Sequence, residues 1–274
     1  MTVKLVALDL DGTTLNNDKV ISERNRQAME KADSKGVNIV VATGRPISAL
    51  PPDVFEIDAI RYVLTSNGAS ITDLKNKSTF YKNCLSELAV EESVKLLKKY
   101  DYILEGFVDG EAYIEKDYYE YVKRTGRSFR DVKYILETRK PVENLYQFIL
   151  DNKINIENIN VNFEDLSVKP ALRNLLLTIP EATITSSFKN NLEIGGKTTS
   201  KAEALSKMCE ILGISQTEMM AVGDSPNDIA MLKAAGIAVA VANAEDEVKE
   251  VADYISSDNH HNGVAEAIEK FVLV

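Results

Sequence analysis

Short apolar segments, each ending in a polar cluster that contains glycine, constrain the fold of this chain more than any other feature. The first segment, residues 3–8, is almost continuously apolar, as expected of a strand buried on both faces of a parallel sheet. A helical pattern over residues 22–35 follows, and Gly36 is placed to end it. Apolar segments at 37–42 and 62–65 come next. This strand–helix–strand order predicts a parallel α/β sheet.

The middle of the chain has a different pattern. Asp109-Gly110 separates two β-prone segments, which is a strong hairpin signal and implies antiparallel pairing. The apolar residues between 154 and 163 alternate as in a strand, with one break in phase. This mixture of helices and antiparallel strands predicts an inserted α+β domain at residues 83–190.

The α/β pattern resumes at Leu192-Glu193-Ile194. A helix at 200–212 is predicted to begin with a capping box, Ser200 and Glu203, and to end at Gly213. Strand patterns at 219–222, 237–241 and 254–255 and a last helical pattern at 264–271 complete the chain.

The predicted fold class is therefore α/β. Residues 1–82 and 191–274 would form a doubly wound parallel sheet, a Rossmann-like core, and residues 83–190 an inserted α+β cap domain. The length of 274 residues suits such a division, because it is more than one hydrophobic core readily accommodates.

The charge balance limits the possible partners. With 42 acidic and 32 basic side chains, the formal net charge is −10, which should repel nucleic acid and anionic membranes. An anionic substrate would need local positive charge, which a metal ion, a lysine or a helix N-terminus could supply. No apolar run reaches the ~18 residues of a membrane helix. Because the N-terminus also lacks a signal-peptide pattern, we expect a cytoplasmic protein.

The cysteines and histidines are not needed for the chemistry that the other residues indicate. Cys84 and Cys209 form no close pair, so we interpret them as small buried hydrophobes in a reducing compartment. His260 and His261 lie in a late polar segment. We interpret them as a solvated pair.

The cluster Asp9-Leu10-Asp11-Gly12-Thr13 follows the first strand directly. At a rigid strand end, Asp9 could be a nucleophile or a metal ligand, and Asp11 could carry protons at a leaving group. A solvated turn is the alternative. The preceding buried strand and the Gly-Thr that follows favour a functional site, since ligand crevices lie at the carboxyl ends of parallel strands.

Two further clusters offer phosphate-binding groups. Thr43-Gly44-Arg45 follows a strand, so a hydroxyl and backbone N–H groups at a glycine turn could bind phosphate oxygens, whereas Arg45 could equally lie at the surface. Lys201 is one residue after the N-cap Ser200, where a lysine opposes the helix dipole unless an anion is near. Lys201 is therefore preferred over its neighbours Lys197 and Lys207 as the phosphate-binding lysine.

The fourth cluster, Gly223-Asp224-Ser225-Pro226-Asn227-Asp228, follows another strand, and Asp224 has the strand-end position that Asp9 has in the first cluster. Two carboxylates that face each other across a crevice repel unless a hard cation lies between them. Mg²⁺ prefers oxygen ligands and fits this requirement. Asn227 and Asp228 begin the next helix, and we expect one to cap it and the other to orient the site.

Together these clusters make the chain similar to the haloacid dehalogenase-like phosphatases of the Cof type, which carry a large inserted cap. The four clusters match the family's four motifs in order, and Asn67-Gly68-Ala69, Leu192-Glu193-Ile194 and Ala242-Asn243-Ala244 also lie where such proteins have them. The resemblance covers the whole chain. One departure is Ala202, where a glycine usually follows the motif lysine.

The resemblance implies a phosphatase. Asp9 would attack phosphorus and become an aspartyl phosphate, and Asp11 would act as general acid and then as general base. Magnesium would be bound by Asp9, Asp224 and the backbone carbonyl of Asp11. The implied phosphate-binding residues are Leu10, Thr43, Gly44, Lys201 and Asn227. The cap would select the leaving group of a small phosphorylated metabolite, commonly a sugar phosphate in this family, and the enzyme would be a monomer or a weak homo-oligomer.

Three other functions remain open at this point. A phosphomutase of the same superfamily would use the same Asp9 and metal but return phosphate to its substrate. A non-catalytic phospho-ligand sensor would not need a proton donor such as Asp11. A receiver-like signalling domain would fit poorly with the large insertion and with Lys201 at a helix start.

Overall fold

The computed structural model describes residues 2–274, which divide into two compact units. The first, the core unit, comprises the chain up to Gly44, Leu50–Lys82 and Ser200–Val274. The second, the insert, comprises Arg45–Ala49 and Asn83–Thr199. Each unit has a sheet of its own.

The strands, in chain order, are β1 (Leu5–Asp9), β2 (Asn38–Ala42), β3 (Ile60–Thr65), β4 (Ser70–Asp73), β5 (Ser78–Lys82), β6 (Ile103–Val108), β7 (Glu111–Glu115), β8 (Arg139–Val142), β9 (Ile156–Asn162), β10 (Ala182–Thr185), β11 (Asn191–Gly196), β12 (Met219–Gly223), β13 (Ile237–Val241) and β14 (Tyr254–Ser256). The α-helices are α1 (Glu23–Ser34), α2 (Pro52–Glu56), α3 (Glu87–Leu97), α4 (Lys116–Thr125), α5 (Val132–Thr138), α6 (Leu145–Asp151), α7 (Lys169–Leu176), α8 (Lys201–Leu212), α9 (Ile229–Ala234), α10 (Asp246–Lys249) and α11 (Gly263–Phe271).

The sheet of the core unit has the order β14-β13-β12-β1-β2-β3-β4-β5. The strands from β14 to β3 are parallel, and every residue of β1 is buried, which confirms the predicted α/β class. The antiparallel hairpin β4–β5 at one edge was not predicted. Its outer strand β5 is largely exposed, so it has no continuous apolar run that would identify a strand.

Predicted helix ends in the core unit are confirmed by their capping contacts. The Ser22 hydroxyl accepts a hydrogen bond from the Asn25 N–H at the start of α1. The Ser200 hydroxyl accepts one from the Glu203 N–H at the start of α8, which is one of the two hydrogen bonds of the predicted capping box. Gly213 ends α8 with a φ of 66°. Helix α1 packs against α11, and α8 against α9.

The insert has a sheet of order β10-β11-β9-β6-β7-β8, with α3, α6 and α7 contributing to its main apolar core. The predicted hairpin is confirmed: β6 and β7 are antiparallel, and Asp109 and Gly110 take φ values of 47° and 79°. The break in phase that was predicted within residues 154–163 lies in β9. The register between β6 and β9 shifts there, because Phe107 lies opposite Asn158 whereas Val108 lies opposite Ile156.

The placement of Leu192-Glu193-Ile194 in the core sheet is wrong. These residues belong to β11, which pairs antiparallel with β9 and β10 in the insert, so that Leu192 lies opposite Val161. An apolar strand pattern does not identify its partner strand, and the insert therefore extends to Thr199 rather than to residue 190.

The cysteines largely follow expectation. Neither forms a disulfide within residues 2–274, and Cys209 is buried, but Cys84 is half-buried rather than fully buried. Among residues 2–274, no helix is long and apolar enough to cross a membrane.

Candidate active site

The sheet of the core unit brings three of the four sequence clusters together at the carboxyl ends of its parallel strands. Strand β1 lies between β12 and β2, with Leu8 opposite Val222 and Asp9 opposite Ala42. Because the three strands are parallel, the residues that follow them meet at their carboxyl ends. Asp9, Thr43 and Asp224 therefore leave the sheet side by side.

Lys201, at the first position of α8, brings the third cluster into contact with these strand ends. Its ammonium Nζ lies 2.5 Å from Asp9 Oδ1 and 2.7 Å from Asp228 Oδ1, and its side chain is fully buried. A lysine that opposes the helix dipole is thus stabilised by two carboxylates. Burial alone would lower the pKa of Lys201, but Asp228 and Asp9 outweigh it and raise that pKa, which favours the charged ammonium.

The surroundings of Asp9 disfavour its ionised form. It is 6% exposed, and burial raises its pKa well above the ordinary value. The ammonium of Lys201 opposes this shift, whereas the carboxylates of Asp228 and Asp224 reinforce it. A divalent cation among these acids would favour their ionised forms.

The turn after β1 positions Asp11 and connects Asp9 to Asp224. Gly12 has a φ of +81°, and the Thr13 hydroxyl donates to Asp224 Oδ1 at 2.7 Å. Asn243, from the Ala-Asn-Ala segment, donates from Nδ2 to the Gly12 carbonyl at 2.7 Å. Asp11 is half-buried in this turn, and Leu10 is fully buried.

Three carboxylates converge where a metal ion could bind. Asp9, Asp224 and Asp228 each offer an oxygen, and these oxygens lie within 4.8 Å of one another. Burial and the Asp228 carboxylate raise the pKa of Asp224, and hydrogen bonds from Thr13 and Ser225 oppose that shift. Oxygen ligands in this number and at this spacing fit a hard divalent cation such as Mg²⁺.

We expected one of Asn227 and Asp228 to cap the next helix and the other to orient the site. Asp228 does both. Its Oδ2 accepts the backbone N–H groups of Asp224 and Ser225, both at 3.0 Å, while its Oδ1 binds Lys201. It thereby caps the turn and fixes Asp224 relative to Lys201. Asp228 belongs to the acid cluster, although the sequence did not suggest it as a metal ligand.

Asn227 and Asn67 join the second cluster to the fourth. Asn227 donates from Nδ2 to Asn67 Oδ1 at 3.0 Å, and the Asn67 N–H donates to the Thr43 carbonyl at 3.0 Å. The Asn227 Oδ1 atom is buried and has no hydrogen-bond partner within residues 2–274. Asn67 is buried with a φ of 56°, a conformation that is uncommon outside glycine.

Asn67 contacts the site residues although it is not among the predicted ones. The resemblance includes it only as part of the Asn67-Gly68-Ala69 motif. Its side chain lies so close to Gly44 that a Cβ there would be 3.1 Å from Asn67 Oδ1. An Asn-Gly pair directly after a predicted strand was the available signal, because both residues tolerate left-handed backbone.

Arg45, His260 and His261 have contacts with other groups. Arg45 belongs to the insert, where its guanidinium is 4.9 Å from the centroid of the Tyr134 ring and donates to the Ala49 carbonyl. His260 and His261 are exposed, and His261 Nδ1 lies 2.8 Å from Asp258 Oδ1.

The parallel sheet, the strand-end aspartates and the buried lysine define an α/β protein with a charged site at the carboxyl ends of its strands. The family model of the haloacid dehalogenase-like hydrolases matches residues 6–268 of this sequence, and the chain therefore belongs to that family. Its curated relatives include phosphatases, which makes the chain a phosphoric monoester hydrolase.

Two such relatives and one solved structure illustrate the similarity. The chain is 32% identical to a 5-amino-6-(5-phospho-D-ribitylamino)uracil phosphatase of Bacillus subtilis, over 99% of this chain and 96% of that protein. It is 29% identical to a phosphoglycolate phosphatase of Methanobrevibacter smithii, over the whole of both chains. A haloacid dehalogenase-like hydrolase from B. subtilis superposes with a TM-score of 0.85 at 26% identity, covering 98% of this chain and 100% of that one.

Gly12 and Gly36 form a matched pair for testing the turn after β1. Their φ values are +81° and +80°, but an added Cβ would lie 2.6 Å from Asp224 Oδ2 at Gly12 and would meet nothing within 4 Å at Gly36. Both alanine variants should lose about 1 kcal/mol of stability from backbone strain. Gly12→Ala should also lower phosphate release about 10²-fold, because it displaces Asp224. Steady-state assays of both variants would refute this role of Gly12 if their activities were equal.

Proposed function

We propose that this protein is a Mg²⁺-dependent phosphatase that hydrolyses a small phosphorylated metabolite through an aspartyl phosphate on Asp9. The observation that carries the proposal is the convergence of Asp9, Asp224 and Asp228 around the buried ammonium of Lys201. This site combines a carboxylate nucleophile with fixed positive charge. Phosphoryl transfer depends mainly on positioning and charge neutralisation, which such a site supplies.

In the first half-reaction an oxygen of Asp9 forms a bond to phosphorus as the bond from phosphorus to the leaving oxygen breaks. Asp11 donates its proton to that leaving oxygen. In the second half-reaction Asp11, now a carboxylate, takes a proton from water, which attacks the aspartyl phosphate. As the water oxygen bonds to phosphorus, the bond from phosphorus to the Asp9 oxygen breaks and inorganic phosphate leaves. Asp9 is again a carboxylate, and Asp11 holds the proton taken from water.

We assign the binding of the phosphoryl group to Thr43, Gly44, Lys201 and Asn227, with the backbone at Leu10. The buried unpartnered Oδ1 of Asn227 supports this assignment, because a buried polar atom gains a partner when a ligand or an ordered water binds. Magnesium, held by Asp9, Asp224 and the Asp11 carbonyl, would neutralise phosphoryl charge. Lys201 holds the Asp9 carboxylate in place before substrate arrives.

We propose a sugar phosphate or a related polyhydroxylated phosphate as the substrate. One relative is named for a phosphorylated ribityl compound, and this supports a hydroxyl-rich leaving group. Another is named for phosphoglycolate, so a substrate screen should also contain small acidic phosphates.

The test is phosphate release from p-nitrophenyl phosphate, measured with Mg²⁺, with a chelator, and after Mg²⁺ is restored. We expect turnover with Mg²⁺, loss of turnover to background with the chelator, and recovery on restoration, because the site needs a cation among its acids. Undiminished turnover in the chelator would refute the magnesium requirement. Turnover that required an added bisphosphate would favour a phosphomutase.

A further inference from the structure

The insert contains a pocket that the proposed reaction does not use. Its volume is about 370 Å³, within the range of small-molecule sites. It lies where the start of β6, the end of β7 and the starts of α4 and α6 come together. None of the residues nominated for the active site lines it.

Aromatic rings form a large part of the pocket wall. Tyr100, Tyr102, Tyr118 and Tyr146 all line it, and the ring centroids of Tyr100 and Tyr102 are 5.7 Å apart. The ammonium of Lys98 lies 5.5 Å from the centroid of Tyr146. The pocket thus already places a cation against one of its rings, which is the geometry of a cation–π contact.

The charges of the lining residues are unbalanced. Asp101, Glu115 and Asp117 contribute three carboxylates, whereas Lys98 is the single cation among the lining residues. Burial raises the pKa of Tyr146, and the charges of Asp101 and Glu115 reinforce that shift. The phenol therefore lies in a negative local potential, which disfavours an anionic ligand and favours a positively charged one.

We propose that this pocket binds a small organic ammonium ion, with its charge against the tyrosine rings and near the carboxylates. A neutral apolar ligand would cover the carboxylates without replacing their solvation, whereas an ammonium ion compensates for that loss. Lys98 competes with such a ligand for the Tyr146 ring. The proposal concerns a site separate from phosphate hydrolysis, and a binding measurement tests it without an activity assay.

The test uses choline as the probe and 3,3-dimethyl-1-butanol as its uncharged isostere, observed by proton NMR. Choline methyl signals should shift upfield in the presence of the protein, because protons above a ring face experience its ring current. The isostere should bind about tenfold more weakly. Equal binding of the two compounds, or no upfield shift with choline, would overturn the proposal.

Variants localise the site and give effects of opposite sign. Tyr146→Leu and Tyr118→Leu should each weaken choline binding, and Asp117→Asn, at an exposed position, should weaken it without affecting folding.

Lys98→Met should strengthen choline binding, because it removes the ammonium that competes for the Tyr146 ring. Lys99→Met removes the same charge from a residue outside the pocket lining and should leave choline binding unchanged. If Tyr146→Leu fails to fold, choline binding by the other variants tests whether the pocket is the binding site. Unchanged binding in Asp117→Asn and Lys98→Met would contradict the proposal.

Discussion

Asp9→Asn is expected to lower phosphate release about 10⁴-fold or more while the protein remains folded. The amide has nearly the shape of the carboxylate but cannot serve as the nucleophile. Lys201 would lose one carboxylate partner, 2.5 Å away, but would keep Asp228 at 2.7 Å, so it would not be left as an unpaired buried cation. Steady-state assays of the variant, with circular dichroism as the control for folding, measure this.

Asp11→Asn is the informative companion to Asp9→Asn. It keeps the nucleophile but removes the group that would protonate the leaving oxygen and later activate water. With an activated ester such as p-nitrophenyl phosphate, whose leaving group needs little protonation, this variant should accumulate phosphorylated protein. Mass spectrometry of quenched samples should find the phosphoryl group on Asp9. Phosphorylation elsewhere, or substantial turnover by Asp9→Asn, would refute the proposed nucleophile.

Lys201→Met should destabilise the protein by about 3–5 kcal/mol, because it leaves two buried carboxylates without their cation. Both the Lys201 and the Asp228 side chains are fully buried, and that of Asp9 is nearly so. The variant should also lose phosphatase activity, since the fixed positive charge at the nucleophile is gone. Urea denaturation in metal-free buffer measures the change in unfolding free energy.

Two further variants distinguish this effect from a general sensitivity of α8. Lys207 lies in the same helix, but its side chain is 43% exposed and pairs with Glu210, so Lys207→Met should change stability by less than about 0.5 kcal/mol. Adding Asp228→Asn to Lys201→Met removes one of the stranded carboxylates and should restore part of the lost stability. Strict additivity of Lys201→Met and Asp228→Asn would argue against their coupling.

The sequence by itself determined the features that depend on local backbone preferences. The start of α8 at Ser200, the αL ends at glycine and the Asp109-Gly110 hairpin follow from side chains that stabilise or permit one conformation nearby. The apolar segments identified the buried strands, and parallel strands bring their ends to one edge. The grouping of Asp9, Thr43 and Asp224 could therefore be predicted without coordinates.

Tertiary structure decided two other features, the sheet that β11 joins and the pairing of Lys201 with its two carboxylates. The strand pattern of β11 is the same whichever sheet it joins, and only its register against β9 places it in the insert. Lys201 is 192 residues from Asp9 in the chain and 27 from Asp228, yet one ammonium binds both carboxylates. Such contacts depend on the packing of α8 against α9. No local conformational preference encodes them, because their free energy arises only when distant segments exclude water together.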